Sequence, residues 1–155
     1  IPDMWPFTPK PKLVRSAIDG ATVMALLNAA LSGSKAANYR HISQKDTLSV
    51  VLPADIEAAA KKAFMPWQKD VWECEDQARA LVHEAQKMAA NEGRSWAVGT
   101  LRADDPTKAS GLHVLVWAVA LLPERFAERT VICYDATAQK WRGISTLTRV
   151  DYTLT

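Results

Sequence analysis

The sequence predicts an α+β fold in which one long helix packs on an antiparallel sheet. Two observations lead to this prediction. Residues 74–91 carry apolar side chains at helical spacing, which makes this segment the clearest helix of the chain. Four β-rich segments follow it in sequence, separated by loops rich in Asp, Pro, Gly and Ser. Helices followed by a run of sequential strands are typical of α+β domains with antiparallel sheets.

Length and composition place the chain among ordinary globular domains. It has 155 residues, of which 48% are hydrophobic and 23% are charged. A chain of this length buries roughly 70% of its unfolded surface, so it needs no metal or disulfide in order to fold. The net charge of +2 comes without a cluster of Lys and Arg, which argues against a nucleic-acid partner. No apolar run reaches the length of a membrane span and no signal-peptide pattern is visible, so we expect a soluble, cytoplasmic protein with no membrane partner.

The amino-terminal half divides into an arm and two helices. Residues 1–12 hold four of the eight prolines, which predicts an extended arm that can dock on a protein partner. Residues 13–155 are then expected to form a single domain. Residues 21–31 are apolar and rich in helix formers. A β-rich run at 47–52 precedes a second helix at 53–64, which begins with a proline and has acidic residues in its first turn.

The carboxy-terminal half supplies the long helix and the sheet. The predicted helix runs from Cys74 to Asn91 and ends near Gly93. One stripe of the helix is formed by its small and apolar side chains, namely Cys74, Ala78, Leu81, Val82, Ala85 and Ala89. The predicted strands cover residues 96–101, 112–122, 130–135 and 144–154.

Three side chains of this half form a candidate catalytic site. Cys74 begins the long helix, where the helix dipole lowers the pKa of a thiol and favours the reactive thiolate. His113 lies near the start of the most apolar strand, and Asp135 lies at the end of the next one. If these strands are antiparallel neighbours, His113 and Asp135 share one end of the sheet. His113 would then take the proton of the thiol, and Asp135 would orient the imidazole.

Residues beside Cys74 are candidates for binding a substrate. Gln68 lies six residues before Cys74, where its amide could stabilise an oxyanion together with the Cys74 backbone N–H. Gln139, four residues past Asp135, is a second candidate for that role. Trp67 and Trp72 flank the segment and are predicted to wall a substrate groove.

These motifs resemble a family of cysteine peptidases. The stretch at 72–78, Trp-Glu-Cys-Glu-Asp-Gln-Ala, resembles the cysteine helix of papain-like and transglutaminase-like peptidases. The closest likeness is to the C-terminal domain of the agglutinin group typified by Marasmius oreades agglutinin. The strand ending in glycine at 97–99, the Gly-x-His strand at 111–114 and the acidic strand at 132–135 follow the same order as in that group. The resemblance covers residues 67–141 and implies a papain-like fold with thiol hydrolase activity on peptide or amide bonds.

The resemblance has two departures and one implication for cofactors. Gln77 occupies the position of the usual aromatic residue, and Asp135 stands where the agglutinin group has Glu. The residues themselves predict no cofactor. Some relatives depend on calcium, however, and the acidic residues that such an ion would need are Glu75, Asp76, Asp104 and Asp105.

The sequence leaves several alternatives open beside the main hypothesis, a cysteine hydrolase that works through an acyl-enzyme. Cys133 is expected to pack in the core, but it could pair with Cys74 as a disulfide, or help hold a zinc ion together with Cys74, His113 and Asp135. His41-Ile42-Ser43 matches one of the two His-x-Ser/Thr motifs of a two-histidine phosphoesterase. The domain could also be a non-catalytic papain-like module that binds a partner or has a structural role.

Overall fold

The fold is described from a computed structural model. It covers residues 16–31, 47–104, 112–122, 129–144, 147 and 149–154. The predicted proline-rich arm at 1–12 and the His41 motif lie outside these residues. None of the described helices combines the length and the apolar composition that a membrane span requires.

The described chain contains three helices and seven strands. The helices are α1 (Gly20–Leu31), α2 (Pro53–Ala63) and α3 (Cys74–Asn91). The strands are β1 (Ala17–Asp19), β2 (Thr47–Ser49), β3 (Val98–Asp104), β4 (Leu112–Leu121), β5 (Arg129–Asp135), β6 (Lys140–Arg142) and β7 (Arg149–Leu154). The predicted α+β class is therefore correct.

The strands form one large and one small antiparallel sheet. The large sheet has the order β6-β5-β4-β3-β7, and β1 pairs with β2 in the small one. Strands β4 and β5 are antiparallel neighbours, with Val116 opposite Tyr134 and Trp117 opposite Cys133. The start of β4 therefore lies beside the end of β5, which brings the region of His113 to that of Asp135.

Both faces of the large sheet are covered. One core contains side chains of α1 and of the small sheet, together with Leu115, Trp117 and Cys133. The other core contains side chains of α2 and α3, together with Val116 and Tyr134. Strand β4 contributes alternate side chains to both cores, which explains why its sequence is an almost unbroken apolar run. The predicted packing of the long helix on an antiparallel sheet agrees with this arrangement.

Most predicted elements agree with the structure, and the differences concern the bounds of two strands and the presence of two short ones. Helix α3 has the predicted bounds, and Gly93 adopts a positive φ of 69° where the helix ends. The predicted strand at 144–154 begins only at Arg149, and the one at 96–101 is displaced to Val98–Asp104. Strands β1 and β6 are not predicted, because three residues are too few to show an alternating pattern.

Candidate functional site

The amino terminus of α3 is fixed by a carboxylate from its own first turn. Glu73 precedes the helix with an extended backbone, and its N–H donates to Asp76 Oδ2 at 3.0 Å. Capping of this kind satisfies an N–H group that the helix itself leaves without a partner. Cys74 is therefore the first residue of a well-defined helix, and its side chain is half-buried.

The structure brings Cys74, His113 and Asp135 together. His113 Nε2 and Asp135 Oδ2 are 2.9 Å apart, and both side chains are buried. The His113 side chain also hydrogen-bonds Cys74, and the backbone N–H of Val114 donates to the same thiol. Because Nε2 contacts Asp135, Nδ1 is the ring nitrogen left for the sulfur. Three elements therefore meet at this point, namely the start of α3, the start of β4 and the end of β5.

The electrostatics of this contact favour a thiolate and an imidazolium. Burial alone would raise the pKa of the Cys74 thiol, but the hydrogen bonds from His113 and from Val114 outweigh it, so the pKa is lowered. Burial alone would lower the pKa of His113, but its bonds to Asp135 and Cys74 raise it from 6.5 to about 9. At neutral pH His113 therefore carries a proton, and its charge stabilises a thiolate on Cys74.

Asp135 is held on both of its oxygens. Its side chain is fully buried, Oδ1 accepts the backbone N–H of Ala138 at 2.9 Å, and Oδ2 contacts His113. Arg142 on β6 places Nη1 3.9 Å from the same Oδ2, and the Arg142 side chain is only 10% exposed. A buried carboxylate needs such partners because removing it from water unpaired is costly.

The second cysteine lies in a different environment. Cys133 lies on β5 and is buried in the core that contains α1 and the small sheet. Burial raises the pKa of its thiol to about 12. Both cysteines are free, so the alternative of a disulfide between them is wrong. Within the described ranges, no group of three His, Cys, Asp or Glu side chains could share a metal ion. Asp105 of the calcium set lies outside those ranges, and the calcium prediction is not tested.

The segment before Cys74 is an exposed turn. Gln68 and Trp72 pair through their backbones, with N–H···O distances of 2.8 and 2.7 Å, and the side chain of Gln68 is exposed. Trp67 is 53% exposed, whereas Trp72 is half-buried. The predicted roles of Gln68 as an oxyanion donor and of the two tryptophans as groove walls stay predictions.

Gln77 anchors this segment, a role that the sequence pattern does not predict. Its buried side chain accepts hydrogen bonds from the Met65 N–H at 3.0 Å and the Trp72 Nε1–H at 2.8 Å, and it donates to the Ala63 carbonyl at 2.9 Å. The sequence does place Gln77 one turn before Leu81, on the apolar face of α3, and this position indicates a buried side chain. A polar side chain on that face must find partners.

A recess of about 570 Å³ lies between α2 and the β5–β6 hairpin. The Tyr134 and Trp141 rings meet edge to face there, with centroids 4.8 Å apart, and Trp141 Nε1–H donates to Glu57 at 2.7 Å. The rest of the lining is Ala54, Ala58, Lys61, Gln139 and Lys140. The amide of Gln139, the second predicted oxyanion donor, donates to the carbonyl of Ala136 at 2.8 Å.

Comparison with known proteins identifies the fold. No protein-family model and no curated protein matches the chain. Several solved structures share its fold, and two of them are described here. One, the PSL1a–E64 complex, has a TM-score of 0.71 and 19% identity. The other, Polyporus squamosus lectin bound to the human-type influenza-binding epitope Neu5Acα2-6Galβ1-4GlcNAc, has a TM-score of 0.70 and 20% identity. The matches cover 90% of this chain but 51% and 49% of those chains, so this chain spans about half their length.

These neighbours correct the sequence-based recognition. They are Polyporus squamosus lectin and a complex of PSL1a, so the recognition of a papain-like or transglutaminase-like peptidase is contradicted. The same finding contradicts the predicted function as a cysteine hydrolase. It also contradicts the thiol-protease catalytic triad and conflicts with a peptide or amide substrate. The non-catalytic binding alternative fits the neighbours better. The short motifs at 72–78 and 111–114 specify a local arrangement of side chains, and a local arrangement does not define an activity.

Proposed function

We propose that this domain is a binding module that holds its ligand at Cys74. The observation that carries the proposal is the hydrogen-bonded array of Cys74, His113 and Asp135. A thiol that only packs is buried, and burial raises its pKa, as it does for Cys133. Cys74 instead has a lowered pKa, is half-buried and begins a helix, which are the properties of a reactive cysteine.

The array is suited to a ligand with an electrophilic carbon. The thiolate sulfur of Cys74 would attack that carbon and form an S–C bond, and the electron pair of the bond that opens would pass to a neighbouring ligand atom. His113 would donate its Nδ1 proton to that atom and become neutral. Asp135 would stay ionised and keep the ring in place through Nε2. One structural neighbour is a complex of PSL1a with E64, which makes E64 a suitable probe for this proposal.

Labelling and ligand retention together test the proposal. We expect iodoacetamide to alkylate Cys74 at least about tenfold faster than Cys133 at pH 7, because the reactive form is the thiolate. E64, the compound named with the neighbouring structure, should be retained at one equivalent by the wild-type chain and not by Cys74→Ser. Mass spectrometry of the intact chain and of its peptides measures both.

Matched histidine variants show whether the alkylation rate of Cys74 depends on His113 in particular or on any histidine substitution. His113→Gln should slow the alkylation of Cys74, whereas His83→Gln should not, because His83 is exposed on α3. Equal, slow alkylation of both cysteines would contradict the reactive thiol. Repeated, Cys74-dependent turnover of an amide or ester compound would contradict a module that only binds.

The recess beside Trp141 favours a second candidate function, glycan binding. An exposed aromatic face stacks on the apolar face of a sugar ring, and the surrounding polar groups bind its hydroxyls. In the recess the half-buried Trp141 is the ring that can stack on a sugar, with Glu57 and Gln139 beside it. Tyr134 is buried and packs edge to face against Trp141. Lys61 and Lys140 add positive charge suited to the carboxylate of a sialylated glycan, the kind of ligand bound in the Polyporus squamosus lectin structure.

Titration with two glycans tests this second candidate. We expect Neu5Acα2-6Galβ1-4GlcNAc to bind more tightly than Galβ1-4GlcNAc, with saturable shifts of the Trp141 indole NMR signal. Trp141→Ala should abolish binding, and Trp67→Ala should preserve it, because Trp67 is exposed outside the recess. Binding that survives Trp141→Ala would contradict this site. Cys74→Ser should leave glycan binding unchanged, which separates the two candidates.

A further inference from the structure

The charges around Cys74 come from four elements of the fold. Cys74 lies on α3, His113 on β4, Asp135 on β5 and Arg142 on β6. Asp135 and His113 are buried, Cys74 is half-buried, and the Arg142 side chain is 10% exposed. When Cys74 is a thiolate and His113 an imidazolium, these two and the Asp135 carboxylate sum to one negative charge. Arg142 brings the sum to zero.

We propose that Arg142 is a positioning residue of the Cys74 site, which balances the buried negative charge of Asp135 so that a thiolate can form beside the same imidazole. This inference rests on the proposed function, because it concerns the same thiolate. The geometry supports it directly, since Arg142 Nη1 lies 3.9 Å from the oxygen of Asp135 that contacts His113. Arg142 reaches this position because it lies opposite Cys133 in the β5–β6 ladder.

Charge balance is needed here because the site is poorly solvated. An uncompensated charge removed from water is costly, and groups in such places change protonation state instead. Without Arg142, two negative groups would share one imidazolium, and Cys74 is the group that can take up a proton. Other charged groups reach this region less directly. The charge of Glu57 acts on Tyr134, and Glu75 forms an ion pair with the exposed Arg79 on α3.

The test is the pH profile of Cys74 alkylation in charge variants. We expect Arg142→Met to raise the midpoint by about one pH unit, which is about a tenfold loss of thiolate below the midpoint. Arg142→Lys should bring the midpoint most of the way back to the wild-type value, because lysine restores the positive charge. Arg79→Met is the matched control, since it removes an exposed arginine that lies 3.6 Å from Glu75 one turn into the same helix. Its midpoint should equal that of the wild type.

The outcomes separate this inference from the proposed function. A reactive wild-type Cys74 with an unchanged midpoint in Arg142→Met would overturn the role of Arg142 alone. A wild-type Cys74 as slow as Cys133 would overturn the proposed function itself. If Arg142→Met fails to fold, charge balance predicts that adding Asp135→Asn restores folding. Failure of that double variant to fold would show a packing role for Arg142 and overturn the inference.

Discussion

Replacing Gln77 with Leu should loosen the segment before Cys74. The substitution nearly preserves volume but removes three hydrogen bonds, those to the Met65 N–H, the Trp72 indole and the Ala63 carbonyl. A polar group left buried without a partner costs about 1–3 kcal/mol. Met65 is exposed, so water can replace its bond, whereas Trp72 and Ala63 are half-buried. Because these two groups are only half-buried, each should cost about 1 kcal/mol, the lower end of that range, so the expected loss in the free energy of unfolding is about 2 kcal/mol.

Urea unfolding and hydrogen exchange measure this effect, and Gln86→Leu is the matched control. Gln86 lies on the same helix and bonds the N–H and carbonyl of Trp96, at 3.2 and 3.0 Å. Both variants should lose similar stability. Only Gln77→Leu should speed amide exchange in residues 64–72 and change the alkylation rate of Cys74. A loss below about 0.5 kcal/mol, or an equal effect of both variants on Cys74, would refute the anchoring role of Gln77.

Three further predictions follow from the same contacts. First, the pKa of His113 is raised from 6.5 to about 9 in the folded chain, so its stabilising contribution is complete below about pH 6.5 and is lost as the pH rises through 9. At pH 6 the free energy of unfolding of the wild type should exceed that of His113→Gln by on the order of 2 kcal/mol, after allowance for solvent screening. In urea unfolding this difference should disappear above pH 9. A difference that stays constant with pH would contradict the prediction. Second, Asp135→Asn should slow iodoacetamide alkylation of Cys74 at pH 7 by about tenfold, because the imidazolium loses its carboxylate, and an unchanged rate would count against the array. Third, Gly93→Ala should lower the free energy of unfolding by about 1 kcal/mol, as measured by thermal unfolding. The backbone of Gly93 has φ at +69°, and no atom lies close enough to give the added methyl group a compensating contact. Unaltered stability would show that the turn relaxes.

The elements that the sequence predicts well are those whose signals are local. Helix α3 has apolar periodicity, an acidic first turn and a terminal glycine, and its predicted bounds agree with the structure. Strand β4 is nearly continuous in apolar residues because both of its faces are buried. The juxtaposition of His113 and Asp135 follows from one assumption, that β4 and β5 are antiparallel neighbours, and they are.

What the sequence misses depends on contacts between distant parts of the chain. The anchoring role of Gln77 rests on partners up to 14 residues away, at Ala63, Met65 and Trp72. Arg142 reaches Asp135 only because a three-residue strand, β6, pairs with β5. The resemblance to peptidases rests on short motifs around Cys74 and His113, and such motifs describe a local arrangement that other functions can share.

The titration of the Cys74 thiol decides whether this site favours a thiolate. The measurement is the ultraviolet thiolate absorbance of the wild-type chain minus that of Cys74→Ser, followed as a function of pH. Because both proteins keep Cys133, the difference reports Cys74 alone. We expect the midpoint to lie below 9.0, the ordinary value for a cysteine, because the contacts with His113 and Val114 lower the pKa of the Cys74 thiol. A midpoint at or above 9 would show that His113 and Asp135 do not activate this thiol, and would contradict the account.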